Sequence, residues 1–298
     1  MSVVERTRDS AMTPVRRRRR RRDLPGVALT VWGAVVLVFL FLPIAVIVVY
    51  SFNTGRLLTA WQGFGFDAYS AGLSRPVIRD AIATSLKTGL GAAVLSTVIG
   101  SLAGLALARR GGRWAALLTL LLGLTLLTPE IMDAISLLGW FVTLSTEAGF
   151  PLFGNGVVRL VVAHSVLSTA VVTFIVRARV AGLDSRLEEA AADLYATRWR
   201  RFRDITLPLA APGVLAGGLM AFTLSLDNTI VASFVQLPGS TPWPVYVFSA
   251  LRAALRPEIA AVSTLMLVLT LVALGVVALV LRRSGDSASD IARTMAGG

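Results

Sequence analysis

Apolar residues in this chain do not alternate with polar ones; they come in unbroken runs of the length that crosses the hydrocarbon of a bilayer, about 20 residues each. Runs near 28-51, 81-108, 114-138, 157-180, 211-236 and 259-281 are separated by segments in which arginine, aspartate, glycine and proline concentrate. The pattern predicts about six transmembrane helices in one all-α integral membrane domain over 28-283, with a basic tail at 1-27 and a polar tail at 284-298. No interruption is long enough for a separate soluble catalytic domain.

One interruption has a pattern of its own. The segment from Leu183 to Gly213 reads LDSRLEEAAADLYATRWRRFRDITLPLAAPG. Leu187, Ala190, Ala191 and Leu194 fall at helical spacing on one side, and Arg186, Glu189 and Asp193 occupy another, which predicts a short amphipathic helix over 185-195. Asp184 or Ser185 is its expected N-cap, with Glu188 near the position of a capping box. A second short helix near 198-205 would carry Trp199, Phe202 and Ile205 on its apolar side, and Leu207-Pro208 would turn the chain back toward the membrane. Two short helices presenting alanines, an aromatic ring and charges suit a groove on another protein.

Charge orients the domain. The formal net charge is +12, and much of it lies in Arg16 to Arg22, directly before the first apolar run. Basic residues beside a first span hold that flank inside and are attracted to anionic lipid, so the run is read as a topology anchor and not as a nucleic-acid tail. Arg109, Arg110 and Arg113, then Arg177 to Arg203, then Arg282 and Arg283 all fall in segments that the span count places inside. Arg56, Arg75, Arg79, Arg252 and Arg256 fall outside and are less clustered. Both termini are therefore expected in the cytoplasm. The first run is long enough to span and lacks a small-residue cleavage site, unlike a secretory leader. The chain has no cysteine, which excludes disulfides, thiolate metal sites and cysteine nucleophiles.

Several residues carry candidate chemistry. Glu130, Asp133 and Asp227 lie within or at the ends of apolar runs, where an ionised carboxylate needs a cavity or a partner. They could face a water-filled path for a cationic solute, together with Ser225 and Asn228, or pair with arginine and cap a helix broken near Pro129. His164, the lone histidine, is read as a neutral ring hydrogen-bonded between helices. Gly89, Gly91, Gly100 and Gly104 with Ser96 and Ser101 give the second run a small-residue face suited to close helix packing. Trp61, Phe64, Phe66 and Tyr69 suit an interfacial or docking segment on the outer side. No G-x-x-x-x-G-K-[ST] occurs, so this chain has no loop of that kind to cradle ATP phosphates.

Glu189-Ala190-Ala191 followed by Ile205-x-Leu207-Pro208 resembles the EAA loop of permease subunits in bacterial ATP-binding-cassette importers. The resemblance extends over nearly the whole chain after the arginine run and looks closest to the second permease of the spermidine/putrescine pair. Tyr50-Ser51-Phe52-Asn53, Ala106-Leu107-Ala108-Arg109, Thr128-Pro129-Glu130, Phe222-Thr223-Leu224-Ser225-Leu226-Asp227, Ser233-Phe234-Val235, Pro238-Gly239 and Pro257-Glu258-Ile259 with Ser263-Thr264 carry it, in the family's order. It implies the type I importer permease fold and a bacterial inner-membrane location. It also implies an ABC ATPase dimer that uses ATP and magnesium, a second homologous permease, and an extracytoplasmic solute-binding protein. The chain itself would bind no cofactor or metal and catalyse nothing.

Glu188, Glu189, Ala190, Ala191, Tyr195, Ile205, Leu207 and Pro208 would then form the ATPase-coupling loop. Tyr195 stands where the family has glycine, so either the turn is remodelled or glycine is not required; Arg198 stands where proline is common. Polyamine members often carry two adjacent acids where this chain has Asp227-Asn228, which leaves open another solute such as an aminophosphonate. A rival class, a proton-coupled secondary transporter or membrane enzyme, would use Glu130, Asp133, Asp227 and His164 as a relay.

Overall fold

In the computed structural model residues 24-58, 60-109, 111-184, 186-252 and 256-283 are described. The arginine run, Arg110, Ser185 and the polar C-terminal tail lie outside them. The chain divides into two units, one ending at Ile47 and one beginning at Val48. The first holds most of helix α1, Leu24–Tyr50, whose start takes in residues assigned to the basic tail from sequence.

The second unit begins with a loop folded on Asn53, a side chain with 1% of its surface exposed. Its Nδ2 donates to the carbonyls of Ala60 (2.9 Å) and Leu57 (3.4 Å), and its Oδ1 accepts from the amides of Gln62 (3.0 Å) and Gly55 (3.1 Å). Phe52 stacks on Phe64 at 5.1 Å and meets Phe66 edge-on at 5.4 Å, closing the loop with an aromatic cluster. Helix α2, Asp67–Ser74, follows, and α3, Pro76–Arg109, starts several residues before the predicted span because a proline suits the first helical turn.

The third predicted span is broken. Helix α4, Arg113–Leu127, ends at Thr128, whose backbone is extended as a residue before proline prefers, and α5, Glu130–Val142, leaves at 105° to it. A π-helical turn over Thr143–Glu147 extends α5, and a 3-10 turn over Pro151–Gly154 leads into α6, Gly156–Ala181. The 183-213 loop contains α7, Arg186–Asp193, and α8, Arg198–Arg201.

Leu207-Pro208 does not turn the chain back. Phe202–Thr206 is a π-helical turn, the Leu207 amide reaches the Phe202 carbonyl, and the helix runs on into α9, Leu207–Asp227, so that 198-227 is one long helix. The wider turn relieves the backbone beneath Pro208, which removes a donor but stays inside the helix. The fifth predicted span is also divided: α9 stops at Asp227, Asn228 is extended, and α10, Ile230–Val235, restarts the helix. Helix α11, Trp243–Leu251, was not foreseen, and α12, Pro257–Arg283, closes the described chain.

Counting the bent α4-α5 pair as one, six helical segments are long and apolar enough to cross a membrane, and no strand occurs among the described residues. The core of the second unit is α3 packed on α6 and α9. Ala93, Val172, Val176, Ala210, Ala221 and Phe222 are buried there. Small residues bring the backbones together: a methyl group on Gly104 would stand 2.8 Å from the Thr173 carbonyl oxygen, and one on Gly100 3.0 Å from that of Thr169. Large apolar side chains such as Leu120, Trp114, Ile131 and Leu271 remain exposed. This inversion, small residues inside and bulky ones outside, belongs to a bundle solvated by lipid.

Candidate functional site

The loop predicted to dock on a partner is folded by local bonds. Asp184 caps α7, accepting from the Arg186 amide at 3.0 Å. At the other end the Ala196 amide bonds the Ala191 carbonyl (2.9 Å) and the Tyr195 amide bonds the Ala192 carbonyl (2.9 Å). These two bonds are the Schellman closure of a helix, which places the residue between them in the left-handed region. That residue is Tyr195, with φ of 60°, the one non-glycine with positive φ among the described residues. The turn is therefore kept, and tyrosine occupies a glycine's conformation.

Three side chains here turn outward: Leu194, Tyr195 and Trp199 are 82%, 95% and 67% exposed. Glu189 and Ala190 are exposed on α7, which buries none of its residues. Thr197 caps α8 through the Arg200 amide, and Trp199 packs on Phe202 at 5.7 Å. Ile205 is half-buried, while Leu207 and Pro208 are exposed at the start of α9.

Glu188 does not complete a capping box. Its carboxylate takes both arms of Arg109, the last residue of α3, with Nη1 at 2.7 Å from Oε2 and Nη2 on Oε1. Thr206, 1% exposed, donates to Glu188 Oε1 at 2.6 Å and accepts from Arg109 Nη2 at 2.9 Å. From sequence alone Arg109 is an inside-facing charge and part of the Ala106–Arg109 block, without a partner, and Thr206 has no assigned role. The pairing joins residues 79 positions apart, and no local pattern encodes it.

The acids do not converge. Glu130 and Asp133 lie in the first turn of α5, next to the break at Pro129, and no side-chain cap hydrogen bond closes that end. Asp227, at the end of α9, lines a separate cavity of about 540 Å³ with Ser85, Thr229, Trp243, Phe248 and Ser263. Asp227 is the one carboxylate among the lining residues, and none of them is basic. Asn228 turns to its own backbone, its Oδ1 accepting from the Val231 amide at 3.1 Å. Ser225 is buried, with its hydroxyl 2.7 Å from His164 Nδ1, so these two side chains join α9 to α6. No cluster of three metal-ligating side chains occurs among the described residues.

Residues 96–286 match the family model described as binding-protein-dependent transport system inner membrane component. The putrescine transport system permease protein PotI of Escherichia coli strain K12 is 37% identical over 241 residues, covering 79% of this chain and 85% of that protein. The spermidine/putrescine transport system permease protein PotC of Haemophilus influenzae is 35% identical over 237 residues, covering 80% and 90%. Among solved structures, a bacterial ABC transporter involved in the import of the acidic polysaccharide alginate superposes with a TM-score of 0.68 at 16% identity, covering 88% of this chain and 96% of that one. This chain belongs to the inner membrane component family of binding-protein-dependent transport systems.

Proposed function

We propose that the chain is the permease of an ATP-driven importer for a small organic cation of the polyamine class, delivered by a solute-binding protein. The observation that carries the reading is the 183-213 loop: α7, the turn after it and α8 expose Glu189, Leu194, Tyr195 and Trp199, while Asp184 and Thr197 cap the two helices. An exposed but ordered apolar and acidic face fits a groove on a partner ATPase dimer. Both termini then lie in the cytoplasm, as the arginine distribution favours. A second, homologous permease completes the pathway. The lone carboxylate beside Trp243 and Phe248 in the Asp227 cavity supports a cationic solute, since cations are attracted to carboxylates and to aromatic faces.

The mechanism is alternating access. ATP closes the two ATPase subunits, the docked helices move with them, and the membrane helices exchange one packing for another. The test is pull-down mass spectrometry of the tagged chain in mild detergent beside Glu189→Arg. Wild type is expected to bring down an ATPase with a phosphate-binding loop and a second permease, and the variant to lose the ATPase. A monodisperse chain that retains no ATPase in either form refutes the proposal. Putrescine uptake by the purified complex in proteoliposomes then decides the solute, with Asp227→Ala expected to reduce it.

A further inference from the structure

We propose that Arg109 is a positioning residue that carries displacement of α7 into α3, so that motion of the docked loop reaches the membrane bundle through the Arg109–Glu188–Thr206 clasp. This rests on the importer reading and adds to it the path by which force leaves the loop. Three elements meet at the clasp: the last residue of α3, the first turn of α7, and the residue before α9. The guanidinium grips the carboxylate by two parallel bonds, a geometry that resists rotation as well as separation. Thr206 fills the remaining bond of the same oxygen and is itself buried.

Packing alone does not fix α7, which buries none of its residues. A charged clasp can therefore be the grip that packing does not supply. Beyond it, α3 is poorly able to absorb movement locally. Its backbone lies directly against α6 at Gly100 and Gly104, where an added methyl group would meet carbonyl oxygens at 3.0 and 2.8 Å. A shift of Arg109 must then displace α3 and α6 together. On the other side, Thr206 hands the same displacement to the start of α9.

The chain has no cysteine, which allows spin labels to be placed at will. Ala106 on α3 and Ala192 on α7 are exposed, and Ala106→Cys with Ala192→Cys reports the distance across the clasp. The complete complex, with its ATPase, second permease and binding protein, is reconstituted in nanodiscs as wild type, as Arg109→Gln, and as the swap Arg109→Glu with Glu188→Arg. Arg109→Gln is expected to keep the ATPase bound, to lose roughly fivefold or more of the stimulation by loaded binding protein measured relative to its own unstimulated rate, and to broaden the label distance. The swap is expected to restore both, because the threonine hydroxyl can donate to one partner and accept from the other in either polarity. Unchanged stimulation in Arg109→Gln overturns the proposal. So does lost stimulation with an unbroadened distance, or release of the ATPase, which would make the pair part of the docking surface. A wild-type complex without stimulation refutes the importer reading instead, and the label distances then decide the clasp alone.

Discussion

Replacing Tyr195 by glycine should tighten the α7 cap. A non-glycine residue in the left-handed region meets a clash between Cβ and its own backbone worth about 1 to 2 kcal/mol. The tyrosine ring offers nothing in return within this chain, being 95% exposed. Glycine removes the clash but adds freedom to the opened loop, which offsets about 0.5 to 1 kcal/mol. Tyr195→Ala is the matched control, since it discards the ring and keeps the clash. The difference between the two variants should be about 0.5 to 1 kcal/mol in favour of glycine, or roughly two- to fivefold in local opening.

The assay is hydrogen exchange of the full chain in nanodiscs, read at the Leu194 and Ala196 amides, which bond the Ala190 and Ala191 carbonyls. Protection factors corrected for intrinsic rates should rise by that amount in Tyr195→Gly over Tyr195→Ala, and Tyr195→Asn should fall between them, because asparagine tolerates this conformation better than most residues. Tyr195→Pro should abolish protection, since it fixes φ near −65° and deletes the amide that reaches the Ala192 carbonyl. Equal or lower protection with glycine than with alanine would refute the strain argument and mean that the loop adapts to its side chain.

Gly104→Ala should destabilise the bundle by about 1 to 3 kcal/mol, because the new methyl meets backbone on α6 and not a side chain that can swing away; thermal unfolding in detergent measures it, with Gly123→Ala, which faces open space, as the control. Asn53→Ala should open the 54-63 loop to protease at unchanged helix content, as four hydrogen bonds to one buried side chain are lost, while Asn53→Asp, which retains the acceptors, should be cut at an intermediate rate. Ser225→Ala should cost about 1 to 3 kcal/mol by leaving His164 Nδ1 buried without its partner, and His164→Ala with Ser225→Ala should cost less than the sum of the two single changes. Thermal unfolding of the four chains gives that coupling.

Helix number was legible because membrane thickness dictates run length, and any six runs of about 20 apolar residues give the same count. Helix breaks were not. Leu121 to Leu127 and Ile230 to Val235 are mostly apolar, and the polar residues at Thr128-Pro129-Glu130 and Asp227-Asn228-Thr229 are too few to divide a run of span length on hydropathy alone. Pro129 marked the first break and was noted as such. The second depends on Asn228 bonding the Val231 amide, a preference that competes with helix continuation and wins only in context. The start of α3 was placed late for the opposite reason: Arg79 and Asp80 look like loop residues, yet a helix longer than the hydrocarbon carries polar first turns outside it.

At the 183-213 loop, the motif positions were legible from register, and the left-handed turn followed from where the family puts glycine. Tyr195 keeping that turn means the two closing bonds from Tyr195 and Ala196 outweigh the strain. The proline argument failed because proline was treated as a helix breaker, whereas a π-helical turn just before Pro208 absorbs the missing bond and lets one helix run from the loop into the membrane. This changes what the loop can do. A chain reversed at Pro208 would leave the docking helices on a hinge, free to move without moving α9. Helix running from Arg198 to Asp227, together with the clasp that binds Glu188 to Arg109 and Thr206, ties α8 to α9 and joins α7 to both α3 and α9. On that reading, displacement of the loop is expected at Asp227, at the far end of the same helix, where it is the one carboxylate in a largely apolar cavity.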